Sequence, residues 1–145
     1  MSVVVIGVGN DLRRDDGVGP TVAAEVARNC PPGVRVLTCD AEPAALLDAW
    51  EHAALAVVID AAAGDRPGRV RRVDLHEVDD TVAVSSHDLS LLTTFRLAQA
   101  LGRAPQAAVA VTVDAGDLGH GAGLSAAVAA AVPAAAAAVL REIAG

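Results

Sequence analysis

Apolar residues along the chain fall into short unbroken runs separated by longer stretches of helical spacing, the alternation that builds an α/β sheet rather than a bundle or a set of hairpins. The first run, Val3-Val4-Val5-Ile6, is β-branched and continuous, as suits a strand covered on both faces. It ends at Gly7-Val8-Gly9-Asn10, and a polar loop then carries Asp15 and Asp16 up to Gly17-Val18-Gly19-Pro20, where a helix begins. Val18, Val22, Ala23 and Val26 recur at helical spacing to about Asn29, and Pro31-Pro32-Gly33 closes the element. A second strand is predicted over Val34 to Thr38, ending at Cys39-Asp40. A second helix opens at Glu42-Pro43 and runs through Leu46, Leu47 and Trp50.

Leu55 to Ile59 reads as a third buried strand with Asp60 its final residue. After a turn at Gly64-Asp65-Arg66-Pro67-Gly68, a short basic strand holds Val70, Val73 and Leu75. The connection is too short for a parallel crossover, so this fourth strand should run antiparallel to the third and, on pattern alone, lie beside it, with its arginines suiting a sheet edge. A helix follows from Ser85-Ser86-His87-Asp88 through Leu89, Leu92, Phe95 and Leu101, with Ser86 as cap and Gly102 as stop. Ala107 to Val113 is the fifth strand, Asp114 to Gly123 a Gly-rich loop, and Leu124-Ser125 leads into an alanine-dominated helix to Ile143 that Pro133 should bend. The expected architecture is a three-layer α/β sandwich: one mostly parallel twisted sheet of about five strands, helices on both faces, residues 1–145 forming a single domain.

Composition narrows the partners. The only aromatic residues of the Phe, Tyr and Trp type are Trp50 and Phe95, so the core must be built of closely packed Ala, Val and Leu. A formal charge of −7 argues against nucleic acid, whose phosphates need a basic face. Cys30 and Cys39 lack metal-site or disulfide-framework spacing and suit buried thiols in a reducing cytoplasm. The Val3 run is too short to span a bilayer and has no basic residues ahead of it, so neither a membrane anchor nor a signal peptide is expected. No exposed stripe for self-association stands out, which leaves a monomer as the default.

Three polar residues occupy equivalent places: Asp16 after the first strand, Asp60 at the end of the third, and His87 at the start of the helix after the fourth. In a doubly wound sheet with the first strand between the second and third, Asp16 and Asp60 converge at the switch point, where ligands bind. Two carboxylates and an imidazole make an open ligand set for nickel, zinc or a similar divalent ion. Each residue also has a plainer reading, Asp16 and His87 as helix caps and Asp60 as an acceptor for loop amides. His120 reads as a surface histidine, and His52 and His76 as exposed. No Gly-x-Ser-x-Gly elbow, His-Glu-x-x-His helix or Cys–His pair is present, so ordinary serine, zinc and cysteine peptidase chemistry lacks its parts.

The run Gly7-Val8-Gly9-Asn10-Asp11-Leu12-Arg13-Arg14-Asp15-Asp16-Gly17-Val18-Gly19 closely resembles the N-terminal signature of the hydrogenase maturation proteases, endopeptidases that trim the C-terminus of a nickel-containing hydrogenase large subunit. Asp60 in Val57-Val58-Ile59-Asp60-Ala61, His87 in Ser85-Ser86-His87-Asp88-Leu89, and Gly121-Ala122-Gly123-Leu124-Ser125 match further family elements. The resemblance implies strand order 2-1-3-5-4 with strand four antiparallel. It also implies metal binding by Asp16, Asp60 and His87, with Asp40 as a further acidic residue of the catalytic group. The metal would be nickel carried by the substrate, a hydrogenase large-subunit precursor, with zinc or cadmium able to occupy the site in vitro. Where many members carry Pro-Glu after the fifth strand, this chain reads Asp114-Ala115-Gly116-Asp117. Two rival readings remain at this point. One is a dinucleotide-binding module built on Gly7-x-Gly9 with Asp40 ending the next strand, although Leu12 stands where its third glycine belongs. The other is a non-catalytic, nickel-dependent recognition protein on the same scaffold.

Overall fold

The computed structural model describes residues 2–40, 42–78 and 86–145, with the side chains of residues 86–90 outside the description. Its elements in chain order are β1 Val3–Val8, a 3-10 turn Arg14–Gly17, α1 Val18–Asn29, β2 Val34–Cys39, α2 Pro43–Trp50 and β3 Leu55–Ala63. They continue with β4 Val70–Asp74, α3 Ser86–Ala100, β5 Ala107–Ala115 and α4 Ala126–Ala144. The five strands form one sheet in the order β2-β1-β3-β5-β4. β1 pairs in parallel with β2 and β3, β3 pairs in parallel with β5, and β4 alone is antiparallel, on β5.

The antiparallel direction of β4 agrees with the short connection, but its place does not agree with the pattern reading that set it beside β3. β3 is flanked by β1 and β5, and its residues Ala56 to Ala62 are buried throughout. An arginine-bearing strand has no place against it. β4 takes the rim instead, held by Arg69 and Arg71, which both donate to the fully buried Asp114 of β5, at 2.9–3.1 Å. Asp114, expected in a loop, is therefore a strand residue. The β5 ladder runs on to Ala115 opposite Ala63, and β3 extends three residues past Asp60.

Two apolar layers share the sheet. Val4, Ile6 and Val8 of β1, with Val58 and Ala110, pack under Leu46, Leu47 and Trp50 of α2 and Phe95 of α3. Val5, Val57, Ile59, Val111 and Val113 face the other way, onto Val22 and Val26 of α1 and Val128, Ala135 and Val139 of α4. Small residues bring the second layer close. Trp50 and Phe95 meet edge to face, centroids 6.0 Å apart, and fill the first. α4 continues through Pro133 to Ala144. By length and composition α4 is apolar enough to cross a bilayer, but here one side of it lies on β5 and α1. Cys30 and Cys39 are free thiols, half-buried rather than buried as expected.

Candidate functional site

The C-terminal ends of β1 and β3 separate where the first loop begins. The β1–β3 ladder stops at Gly7 opposite Ile59, while Val8 still pairs with Cys39 of β2. Asp60 is thus the first residue of β3 beyond its pairing with β1, at the switch point of the sheet, where doubly wound folds bind their ligands. The 3-10 turn carrying Asp16 packs against β3. Asp16 and Asp60 are 6% and 5% exposed, two carboxylates withdrawn from water at one rim of the sheet, where an anionic group is retained only with compensating donors or a cation.

Backbone contacts explain why the loop folds in. Gly9 adopts φ +150°, and a Cβ there would strike the Asp16 carbonyl oxygen. Gly19 lies over both strand ends, where a Cβ would collide with the Val8 carbonyl oxygen and come within 2.6 Å of that of Ile59. The Asn10 N–H donates to Asp16 Oδ2 at 2.8 Å, so Asp16 caps its own loop. Gly9 N–H donates to the Cys39 carbonyl (3.1 Å), Leu12 N–H to Asn10 Oδ1 (2.9 Å) and Arg13 N–H to the Asn10 carbonyl (3.0 Å). The amides that would cradle a pyrophosphate are already engaged, and the dinucleotide-binding reading fails on that ground.

Asp15, unremarked beside its neighbour in the sequence, is fully buried and turned the other way. It accepts hydrogen bonds from the Gly116 and Asp117 N–H groups, both at 2.7 Å, and from the N–H and Oγ–H of Ser125 at 2.6 and 2.8 Å. Burial pushes its carboxyl upward, but the donors from Ser125, Asp117 and Gly116 outweigh it and hold the group below the ordinary carboxylate range. Ser125 precedes α4 without capping it by its side chain, because its hydroxyl is spent on Asp15. Arg14 N–H to the Gly121 carbonyl (3.0 Å) and Gly121 N–H to that of Leu12 (2.9 Å) complete the seam between the first and last loops. Residue type and spacing do not separate the adjacent pair Asp15-Asp16; the family resemblance singles out Asp16, and the seam shows Asp15 engaged elsewhere.

Asp40, exposed at the end of β2, lies on a cleft of about 350 Å³ with Gly9, Asn10, Asp11, Thr38 and Cys39. Asn10 links this cleft to Asp16. The Cys39 thiol is pushed up by burial and then by the charges of Asp40 and Asp60, so both carboxylates act on one strand end. His87 is in the first turn of α3, and its side chain, like the expected Ser86 cap, lies outside the described side chains. Among the described residues no three His, Cys, Asp or Glu side chains are grouped to hold a metal ion. His52, His76 and His120 are exposed, as expected.

An α/β sheet with acidic side chains at its switch point and a sealed, glycine-bent first loop defines a ligand-binding domain of the doubly wound class. The chain belongs to the hydrogenase maturation protease family, whose model matches residues 20–142. The match begins just after the first-loop signature, so the two observations are separate. No functionally curated protein matches the chain. Among solved structures, a hydrogenase maturating endopeptidase, HybD, from E. coli superposes with a TM-score of 0.82 at 24% identity, covering 99% of this chain and 92% of that one. An endopeptidase from Escherichia coli gives 0.84 at 25% identity, with 97% and 91% covered. The [NiFe] hydrogenase maturation protease HybD from Thermococcus kodakarensis gives 0.79 at 25%, with 97% and 98% covered.

Proposed function

We propose that this endopeptidase removes the C-terminal extension of a hydrogenase large-subunit precursor and uses nickel already installed in that precursor as its recognition mark. The observation that supports the reading is the burial of two carboxylates, Asp16 in the 3-10 turn that packs on β3 and Asp60 on β3 just past its pairing with β1. Carboxylate oxygens with an imidazole suit nickel or zinc while leaving coordination positions open to the substrate's own ligands. Asp16, Asp60 and His87 are the residues assigned to the ion, and cadmium or zinc would compete for them in vitro. Docking the ion positions the adjoining peptide bond, so recognition and alignment become one event. Asp40, exposed on the neighbouring cleft, is assigned as the general base. It takes a proton from the attacking water as the hydroxyl adds to the scissile carbonyl carbon, and the protonated carboxyl returns that proton to the amide nitrogen as the C–N bond breaks and the amine departs.

The test is incubation of the purified chain with nickel-loaded precursor, with mass spectrometry reading loss of the C-terminal peptide. Wild type should cleave the loaded precursor and leave the nickel-free one intact. His87→Ala, shown by circular dichroism to keep its fold, should lose at least 100-fold in rate, roughly the 3 kcal/mol of a lost positioning contact. Equal processing by this variant, or of nickel-free precursor, refutes the docking mechanism. Nickel-dependent binding without cleavage by wild type would leave the non-catalytic recognition reading in its place.

A further inference from the structure

Thr112 stands in the middle of β5 and is 2% exposed, yet its Oγ1 has no hydrogen-bond partner among the described residues. A buried hydroxyl in that condition loses its hydration without a replacement hydrogen bond, and valine would fill the same space without that loss. The neighbourhood is specific. Thr112 is the register partner of Asp60 in the parallel β3–β5 ladder, so the two side chains emerge from the same face on strands about 4.8 Å apart. That face is the α2–α3 side, since Val58 and Ala110, two residues earlier on each strand, belong to its apolar layer. Asp60 and Thr112 are therefore neighbours at the line where the apolar floor gives way to the polar rim.

We infer that Thr112 is a positioning residue for Asp60, resting on the functional reading above: its hydroxyl donates to the Asp60 carboxylate oxygen that faces away from the cation when the ion is engaged. A threonine hydroxyl supplies the donor that an ionised carboxylate needs, and the register places the two side chains side by side on adjacent strands. Holding one oxygen leaves the other aimed at the crevice, the usual service of a hydrogen-bonding neighbour to a ligating carboxylate. Without the hydroxyl, Asp60 keeps its charge but loses this one donor.

The experiment titrates Ni2+ alone into the purified chain by calorimetry, for wild type, Thr112→Val, Thr112→Ser and Thr112→Ala, beside melting curves without metal and kcat and KM on nickel-loaded precursor. Thr112→Val should weaken Ni2+ binding by about tenfold, the low end for loss of such a neighbour, and raise KM for the loaded precursor. Its metal-free melting temperature should stay equal or rise. Thr112→Ser should bind as wild type, and Thr112→Ala as the valine variant, which isolates the hydroxyl should valine fold poorly. Equal Ni2+ affinity in all four proteins overturns the assignment of Thr112 and leaves the proposed function standing. Wild type that neither binds Ni2+ nor processes the precursor overturns both.

Discussion

Two adjacent aspartates divide the labour of the first loop. Asp16 accepts the Asn10 N–H within its own loop, while Asp15 accepts four hydrogen bonds from residues more than a hundred positions away. Asp15 is the residue whose loss should be felt first in stability. Asp15→Asn replaces a charged acceptor by a neutral one whose amide meets N–H donors, and should lower unfolding free energy in urea by about 3 kcal/mol. The pH dependence has a definite sign. The folded carboxyl titrates below its unfolded counterpart, so its contribution is complete above the unfolded value of about 3.9 and is lost as pH falls through the depressed folded value. Urea midpoints across pH 2–6 should fall more steeply for wild type than for Asp15→Asn at the acid end. Parallel curves would show that Asp15 is not the acid-sensitive tie.

At the scale of elements, the packing of α1 on the strand ends decides where the crevice lies. Gly19 permits that approach because nothing larger than hydrogen fits between it and the Val8 and Ile59 carbonyls. Gly19→Ala should force α1 to lift and cost about 3 kcal/mol, the upper part of the range for overpacking, with calorimetric melting as the check. An unchanged melting temperature would mean that the contact relaxes freely. Much of this level was legible beforehand. β-branched runs located the strands and helical spacing the helices, and the short turn after β3 announced an antiparallel β4. The place of β4 was not legible from pattern, because sequence periodicity records which face is apolar and not which neighbour is beside a strand. The Asp60 assignment shows the same limit. Asp60 was read as the end of β3, yet what ends there is only the pairing with β1, while pairing with β5 continues.

Across the whole molecule, two apolar layers rest on the two faces of one sheet, and the loop seam at Asp15 joins the beginning of the chain to its last helix. Their unfolding should be a single cooperative event. Trp50 is the chain's one tryptophan and is fully buried in the α2–α3 layer, so its fluorescence reports that layer alone. Far-ultraviolet circular dichroism, dominated by the helices, reports both. The two probes should give coincident urea midpoints. A separated tryptophan transition would show that the α2–α3 layer opens before the rest.

By itself the amino-acid sequence determined the layered α/β architecture and the family signature in the first loop: local propensity and hydrophobic period are properties of neighbouring residues and can be read along a line. The tertiary structure decided that Asp15 is bound into the seam, that Asp114 is a strand residue holding two arginines, and that Thr112 stands beside Asp60. Those are relations between segments from 43 to 110 positions apart, set by sheet register and by how closely backbones can approach, and no local pattern encodes them.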